Sequence, residues 1–139
     1  MKKNESISAV MTKEPVSVHP GQKPSEVRAL LAEGRFHHVP VVSGERLVGI
    51  ISSTDMLRLG MSTFIGDGRA FDAWLDHEYS IEQIMQKEIQ TLSNKDTVRD
   101  ATRMLVNNAF HSVPIVDDSS NLVGIVTSND LLAYLLEQY

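Results

Sequence analysis

Cysteine is absent from the 139 residues, which excludes thiol catalysis, disulfide bridges and cysteine-ligated zinc and is compatible with a cytoplasmic location. No apolar run approaches the roughly 20 residues that a membrane-spanning helix needs. Met1-Lys2-Lys3-Asn4-Glu5 is not followed by the apolar stretch of a signal peptide, so a soluble, intracellular protein is expected. An excess of positive charge is lacking too. Lys and Arg number 13 against 18 Asp and Glu, for a net charge of −5, and the basic residues are scattered. A broad surface for nucleic acid or anionic membrane is therefore not expected, although a small phosphate pocket needs only one or two local cations. The strings that announce catalysis are also missing: there is no HExxH, no P-loop, no nucleophile placed with a base and no paired carboxylates outside turns. Neither an enzyme nor a metal protein is expected.

What is present is an internal repeat. A composition of 42% hydrophobic residues allows one compact domain or two closely packed halves. The stretch from Ser6-Ile7 to Pro40 recurs from Ser80-Ile81 to Pro114 at a constant offset of 74 residues, and Leu47-Val48-Gly49-Ile50 recurs as Leu122-Val123-Gly124-Ile125 at an offset of 75. The second copy thus carries one extra residue between Val116 and Leu122, where a turn tolerates it and a strand would not. We expect a first repeat over 6–59, a connector with a short helix over 60–79, and a second repeat over 80–136.

Each copy opens with a short helical turn, Ser6 to Met11 and Ser80 to Met85, with Ser80 and Gln83 at capping-box spacing. An extended segment follows, Val16 to Val18 and Gln90 to Leu92. Next comes a helix whose apolar positions, Val27, Leu30 and Leu31 or Val98, Ala101 and Leu105, share one face. Pro24 suits the first turn of the earlier helix, while Gly34 and Asn108 stand where a left-handed C-cap is expected. Val39-Pro40-Val41-Val42 and Val113-Pro114-Ile115-Val116 read as strands, each paired through a turn (Ser43-Gly44, or Asp117 to Asn121) with the strand that follows. Asp55 to Leu59 and Asp130 to Leu136 form the closing helices. In the connector, Gly60, Gly66 and Gly68 precede Phe71, Trp74 and Leu75 at helical spacing, and these aromatics are expected to cover core or an interface. The expected fold is α+β, two β-α-β-β-α repeats related by an approximate twofold axis and packed through their sheets.

The strings Gly49-Ile50-Ile51-Ser52-Ser53-Thr54-Asp55 and Gly124-Ile125-Val126-Thr127-Ser128-Asn129-Asp130 carry the chemistry. Each runs from a strand into a helix N-terminus. Ser52 with Asp55, and Thr127 with Asp130, fit a capping box that satisfies the free N–H groups of a first turn. The same physics suits an anion, and hydroxyls beside a carboxylate suit phosphate and ribose, so the two roles are compatible.

Val-Pro-hydrophobic-Val, Gly-hydrophobic-hydrophobic-[Ser/Thr]-x-x-Asp and the duplication together resemble a cystathionine-β-synthase (CBS) domain pair, a Bateman module, and a standalone module without an effector domain is expected. The resemblance covers both repeats. It implies adenosyl ligands in clefts between the repeats, with Asp55 and Asp130 holding ribose hydroxyls. It places Ser52 and Thr54, or Thr127 and Asn129, near ribose and phosphate. A carboxylate suits that task because it accepts two hydrogen bonds from a cis-diol. Family members often carry a basic pair just before the Val-Pro step that reaches the phosphate held by the other repeat. The matching residues here are His37-His38 and His111-Ser112, without the usual arginine, and a mostly neutral imidazole offers a polyphosphate little charge. Their other reading is as neutral polar residues at a cleft edge. Adjacent His37 and His38 point to opposite faces of a strand and do not easily share a metal. Lys13-Glu14 recurs as Lys87-Glu88 at the entry to each copy, where the family lines the adenine end of the cleft. Thr12, Lys13 and Lys87 are therefore further candidates.

The resemblance implies a non-enzymatic regulatory module that senses AMP, ADP, ATP or S-adenosylmethionine, with no required cofactor. It also implies a homodimer joined through the last helices and Trp74, and an effector protein whose identity the sequence does not name. The alternative is an adaptor for protein or nucleic acid with unoccupied clefts.

Overall fold

The computed structural model describes residues 4–34, 36–60, 68–108 and 111–139. Met1 to Lys3 and Gly66, read above from sequence, lie outside the described residues. After a 3-10 turn at Ile7–Ala9 the elements are β1 (Thr12–Lys13), α1 (Pro24–Ala32), β2 (His38–Ser43), β3 (Arg46–Ser52), α2 (Ser53–Arg58) and α3 (Gly68–Glu78). The chain continues through α4 (Ile81–Ile84), β4 (Leu92–Ser93), α5 (Val98–Asn107), β5 (Ser112–Val116), β6 (Leu122–Thr127) and α6 (Ser128–Glu137). The fold is α+β with two repeats. It divides into two compact units, one of residues 16–89 and one joining 1–15 to 90–139.

In the 16–89 unit, β2 and β3 pair antiparallel, with His38 opposite Ser52 and Val41 opposite Gly49. Val18 bridges Val41 in parallel on one side, and Gln86 bridges Ile50 antiparallel on the other. Val18, Val27, Val39, Val41, Ile51, Met56 and Ile81 bury fully against the connector residues Phe71 and Leu75, as the spacing in α3 leads one to expect. Two polar contacts pin α3 to α1. Arg28 makes a two-pronged ion pair with Asp72, its Nη2 donating to Oδ2 at 2.9 Å. Ser25 donates to Asp76 through its backbone N–H at 2.8 Å and its hydroxyl at 2.6 Å. Trp74 lies edge-on to Tyr79, with ring centroids 5.8 Å apart.

The other unit holds a four-stranded sheet in the order β1-β6-β5-β4. β1 and β5 are antiparallel to β6, and β4 runs parallel to β5. Ile7, at 0% exposure, joins Leu92, Ala101, Val113, Ile115 and Val126 in the core. The Ile7 N–H donates to Asp96 O at 2.9 Å and the Val98 N–H donates to Glu5 O at 2.8 Å, so the first residues of the chain are fastened to the stretch that opens α5. The extra residue of the second copy falls in the Asp117 to Asn121 turn. There Asp117 Oδ1 accepts from the backbone N–H groups of Ser119 and Asn121, and Ser120 takes φ 66°.

One expectation is corrected. Gly34 ends α1 in the left-handed region at φ 76°, whereas Asn108 is extended at φ −127°. Asn108 caps α5 differently, its side-chain amide donating to Met104 O at 2.8 Å. An asparagine can satisfy a last-turn carbonyl with its own N–H, so the backbone need not turn left-handed to supply one.

Candidate ligand-binding site

Both sequence strings form the same device. Ser52 is the N-cap of α2: its hydroxyl accepts from Asp55 N at 3.1 Å, and Asp55 Oδ2 accepts from Ser52 N at 2.9 Å. Thr127 and Asp130 do the same for α6 at 3.1 and 2.9 Å. The reciprocal box uses part of each carboxylate and leaves the rest turned toward a segment distant in the chain, the entering segment. Gln86 Nε2 donates to Asp55 Oδ1 at 3.1 Å. Thr12 Oγ1, at the equivalent place in the other unit, stands 3.4 Å from both oxygens of Asp130.

The glycine that opens each string is there because the entering segment crosses it closely. A Cβ on Gly124 would lie 2.5 Å from Met11 Sδ and 3.0 Å from Thr12 O. A Cβ on Gly49 would lie 2.7 Å from Met85 Cγ and 2.9 Å from Met85 Cβ. At Gly124 a residue without a side chain lets the Thr12 backbone approach the strand this closely, and at Gly49 it makes room for the Met85 side chain.

The backbone places His37, His38, His111, Ser112 and Lys13 next to these strings. His37 O accepts from Ser53 N at 2.9 Å, and His111 O accepts from Ser128 N at 3.0 Å, so each histidine backbone abuts the first turn of the helix in its own unit. His38 starts β2 opposite Ser52, as Ser112 starts β5 opposite Thr127. Ser112 is buried, and its Oγ has no hydrogen-bond partner among the described residues. Thr54 and Asn129 are exposed on the first turns of α2 and α6. Lys13 pairs with Gly124 through the β1–β6 ladder, and Lys87 is exposed with its Nζ 4.0 Å from Glu82 Oε1. Sequence reasoning missed Gln86. The signal lies in the repeat, since Gln86 stands 74 residues after Thr12, but glutamine and threonine share no obvious chemistry. Among the described residues, no group of three or more His, Asp or Glu is arranged to hold a metal, and no helix is long and apolar enough to cross a membrane.

The arrangement offers, twice, a carboxylate with acceptor capacity to spare, flanked by hydroxyls and backbone N–H groups at the start of a helix. Such a constellation can accept from a diol and donate to an anion.

Comparison with known proteins finds relatives in sequence and in fold. An uncharacterized protein of Methanocaldococcus jannaschii, MJ1225, is 30% identical over 137 residues, which cover 94% of this chain and 47% of that protein. Its crystal structure matches 97% of this chain and 49% of its own, at TM-score 0.80 and 28% identity. The CBS domain pair of protein MJ0100, solved with 5′-methylthioadenosine and S-adenosyl-L-methionine, has TM-score 0.75 at 25% identity and covers 98% of this chain and 99% of that one. CBSX2, solved with AMP, has TM-score 0.80 at 22% identity over 96% of this chain and 98% of that one, a likeness of fold alone. The chain spans 47%, 23% and 44% of the first curated relatives it matches. The family model for the CBS domain matches residues 7–62 and again 81–137, and with two such matches over most of its length this chain belongs to the CBS-domain family.

Proposed function

We propose that the protein is a non-enzymatic regulatory module that binds an adenosyl compound, of the class of AMP, ADP, ATP or S-adenosylmethionine, at Asp55 and at Asp130. Occupancy is passed to an effector protein or to a second copy of the chain. The observation that carries this reading is the duplicated carboxylate, engaged in a helix cap through one oxygen yet with acceptor directions left for a ribose diol. The ligands of the MJ0100 domain pair support the adenosyl class. Ser52 and Thr54 at one site, and Thr127 and Asn129 at the other, then face ribose and phosphate. Thr12, Lys13 and Lys87 belong to the adenine end.

A thermal-shift panel of AMP, ADP, ATP, NAD and S-adenosylmethionine tests the proposal. A ligand present at a hundred times its Kd and bound only by the folded state adds about 2.7 kcal/mol of stability. An unchanged melting temperature across the panel would favour an adaptor for protein or nucleic acid, and turnover of any nucleotide seen by chromatography would overturn the non-enzymatic reading. In calorimetry with AMP we expect Asp130→Ala to remove the stronger event and Asp55→Ala to leave it nearly intact. In this reading His37, His38 and His111 meet the phosphate, so replacing them with Ala should weaken AMP binding and leave adenosine binding unchanged.

A homodimer through the last helix is part of the same proposal. On α6, Leu132 is 61% exposed and Leu136 is 76% exposed, a pattern that suits burial against a second copy. A monomeric mass by light scattering at tens of micromolar would remove it.

A further inference from the structure

We infer that Gln86 sets the affinity of the Asp55 site for a ribose diol, a built-in competitor that takes one acceptor direction of the Asp55 oxygen outside the cap and weakens its engagement of the diol. This inference rests on Asp55 and Asp130 being diol-binding carboxylates. The two are alike in their caps and differ in what the entering segment presents to them. At Asp55, Oδ2 is taken by the Ser52 N–H at 2.9 Å, and Oδ1 accepts from Gln86 Nε2 at 3.1 Å. Gln86 is anchored beside it, its backbone exchanging two hydrogen bonds with Ile50, at 2.8 Å as donor and 3.1 Å as acceptor. The amide is thus delivered from a fixed backbone and sets a planar group against the one oxygen outside the cap.

At Asp130 the equivalent residue is Thr12, whose hydroxyl is 3.4 Å from each carboxylate oxygen. That is well beyond the roughly 2.7–2.8 Å usual for O–H···O bonds. The hydroxyl is small, and it can rotate to accept from a ligand as readily as it donates to the carboxylate. The Gln86 amide N–H donates to Oδ1 as a diol O–H would, so Gln86 and the ligand compete for the same acceptor. Asp130 is therefore the open site and Asp55 the latched one. The difference belongs to the entering segments and is independent of the histidines.

Exchanging the two residues in the intact protein tests this. The probe is adenosine, which carries the diol without phosphate, measured by calorimetry alongside the ¹⁵N side-chain amide signal of Gln86. In an Asp130→Asn background, which keeps a capping acceptor while disabling one site, Gln86→Thr should tighten adenosine binding about three- to tenfold, the worth of one hydrogen bond. In an Asp55→Asn background, Thr12→Gln should weaken it by about the same factor. The Gln86 amide signal should shift as adenosine fills the Asp55 site in the wild type. Binding that survives both exchanges unchanged overturns the latch while leaving the adenosyl reading in place. Weaker binding in Gln86→Thr would make Gln86 a ligand contact and also overturn it. No binding of adenosine, AMP or S-adenosylmethionine to the wild type or any folded variant overturns the adenosyl reading and the latch together.

Discussion

A single carboxylate can serve the fold and a ligand at once, because its two oxygens offer about four acceptor directions and a helix cap uses only part of them. Asp55 and Asp130 are in that position; Asp100 shows what the fold alone does with the same group. Thr97 and Asp100 form a further capping box at α5, with Thr97 N and Thr97 Oγ1 donating to Asp100 Oδ2 at 2.9 and 3.0 Å. These bonds, the backbone N–H first, hold the Asp100 carboxyl below its ordinary range. A lowered folded-state pKa means the contribution is fully present above the unfolded value of about 4 and is lost as pH falls through the folded value. Melting curves between pH 2 and 6 should show a smaller acid-side loss for Asp100→Asn than for the wild type. The glycines work through space at the same scale. Gly124→Ala would drive a methyl into Met11 and the Thr12 carbonyl, and chemical denaturation should record a loss of about 1–3 kcal/mol, with Gly21→Ala, which meets no atom within 4 Å, as the harmless control.

Among the elements, α3 departs most from the repeat, since it belongs to the connector and nothing in the second copy corresponds to it. Its apolar face supplies Phe71 and Leu75 to the 16–89 core, and its polar face is fixed to α1 by Arg28 with Asp72 and by Ser25 with Asp76. The Arg28–Asp72 pair is half-screened, with side chains 24% and 30% exposed. A double-mutant cycle with Arg28→Ala and Asp72→Ala should give a coupling of about 0.5–1 kcal/mol. The coupling should shrink between 0.1 and 1 M salt, because the Debye length falls from about 10 to 3 Å. A zero coupling would mean that α3 is held by its apolar face alone.

For the whole molecule, the way the chain shares itself between two units matters more than any one contact. The 16–89 unit is continuous, while the other borrows its Ile7 and β1 from the start of the chain. A fragment of residues 90–139 therefore lacks a fully buried core residue and the strand that covers β6. It should show no cooperative melting by circular dichroism, whereas residues 16–89 alone should melt cooperatively. In the full chain, Ile7→Ala should cost about 2–5 kcal/mol, the range for emptying a buried aliphatic position. Adding a peptide of residues 1–15 to the 90–139 fragment should restore structure; failure to do so would assign the borrowed segment a smaller role.

Much of this was legible in the order of residues alone. The duplication, the strand pair around each Val-Pro step, and the capping boxes at Ser52, Ser80 and Thr127 depend on neighbours a few positions apart, and local hydrogen bonding follows directly from such spacing. The glycine before each string was visible as a marker, but its reason was not, because Met11 and Met85 arrive from distant parts of the chain. The same holds for Gln86 on Asp55, for Thr12 beside Asp130, for Ile7 in the core of the second repeat and for the ion pair that docks α3. Asn108 marks the boundary between the two kinds of information: its place at a helix end was local, but whether its backbone or its side chain would close the helix was decided in three dimensions. Tertiary structure decided these matters because pairing between remote segments depends on the path the backbone takes between them, which no short window of residues specifies.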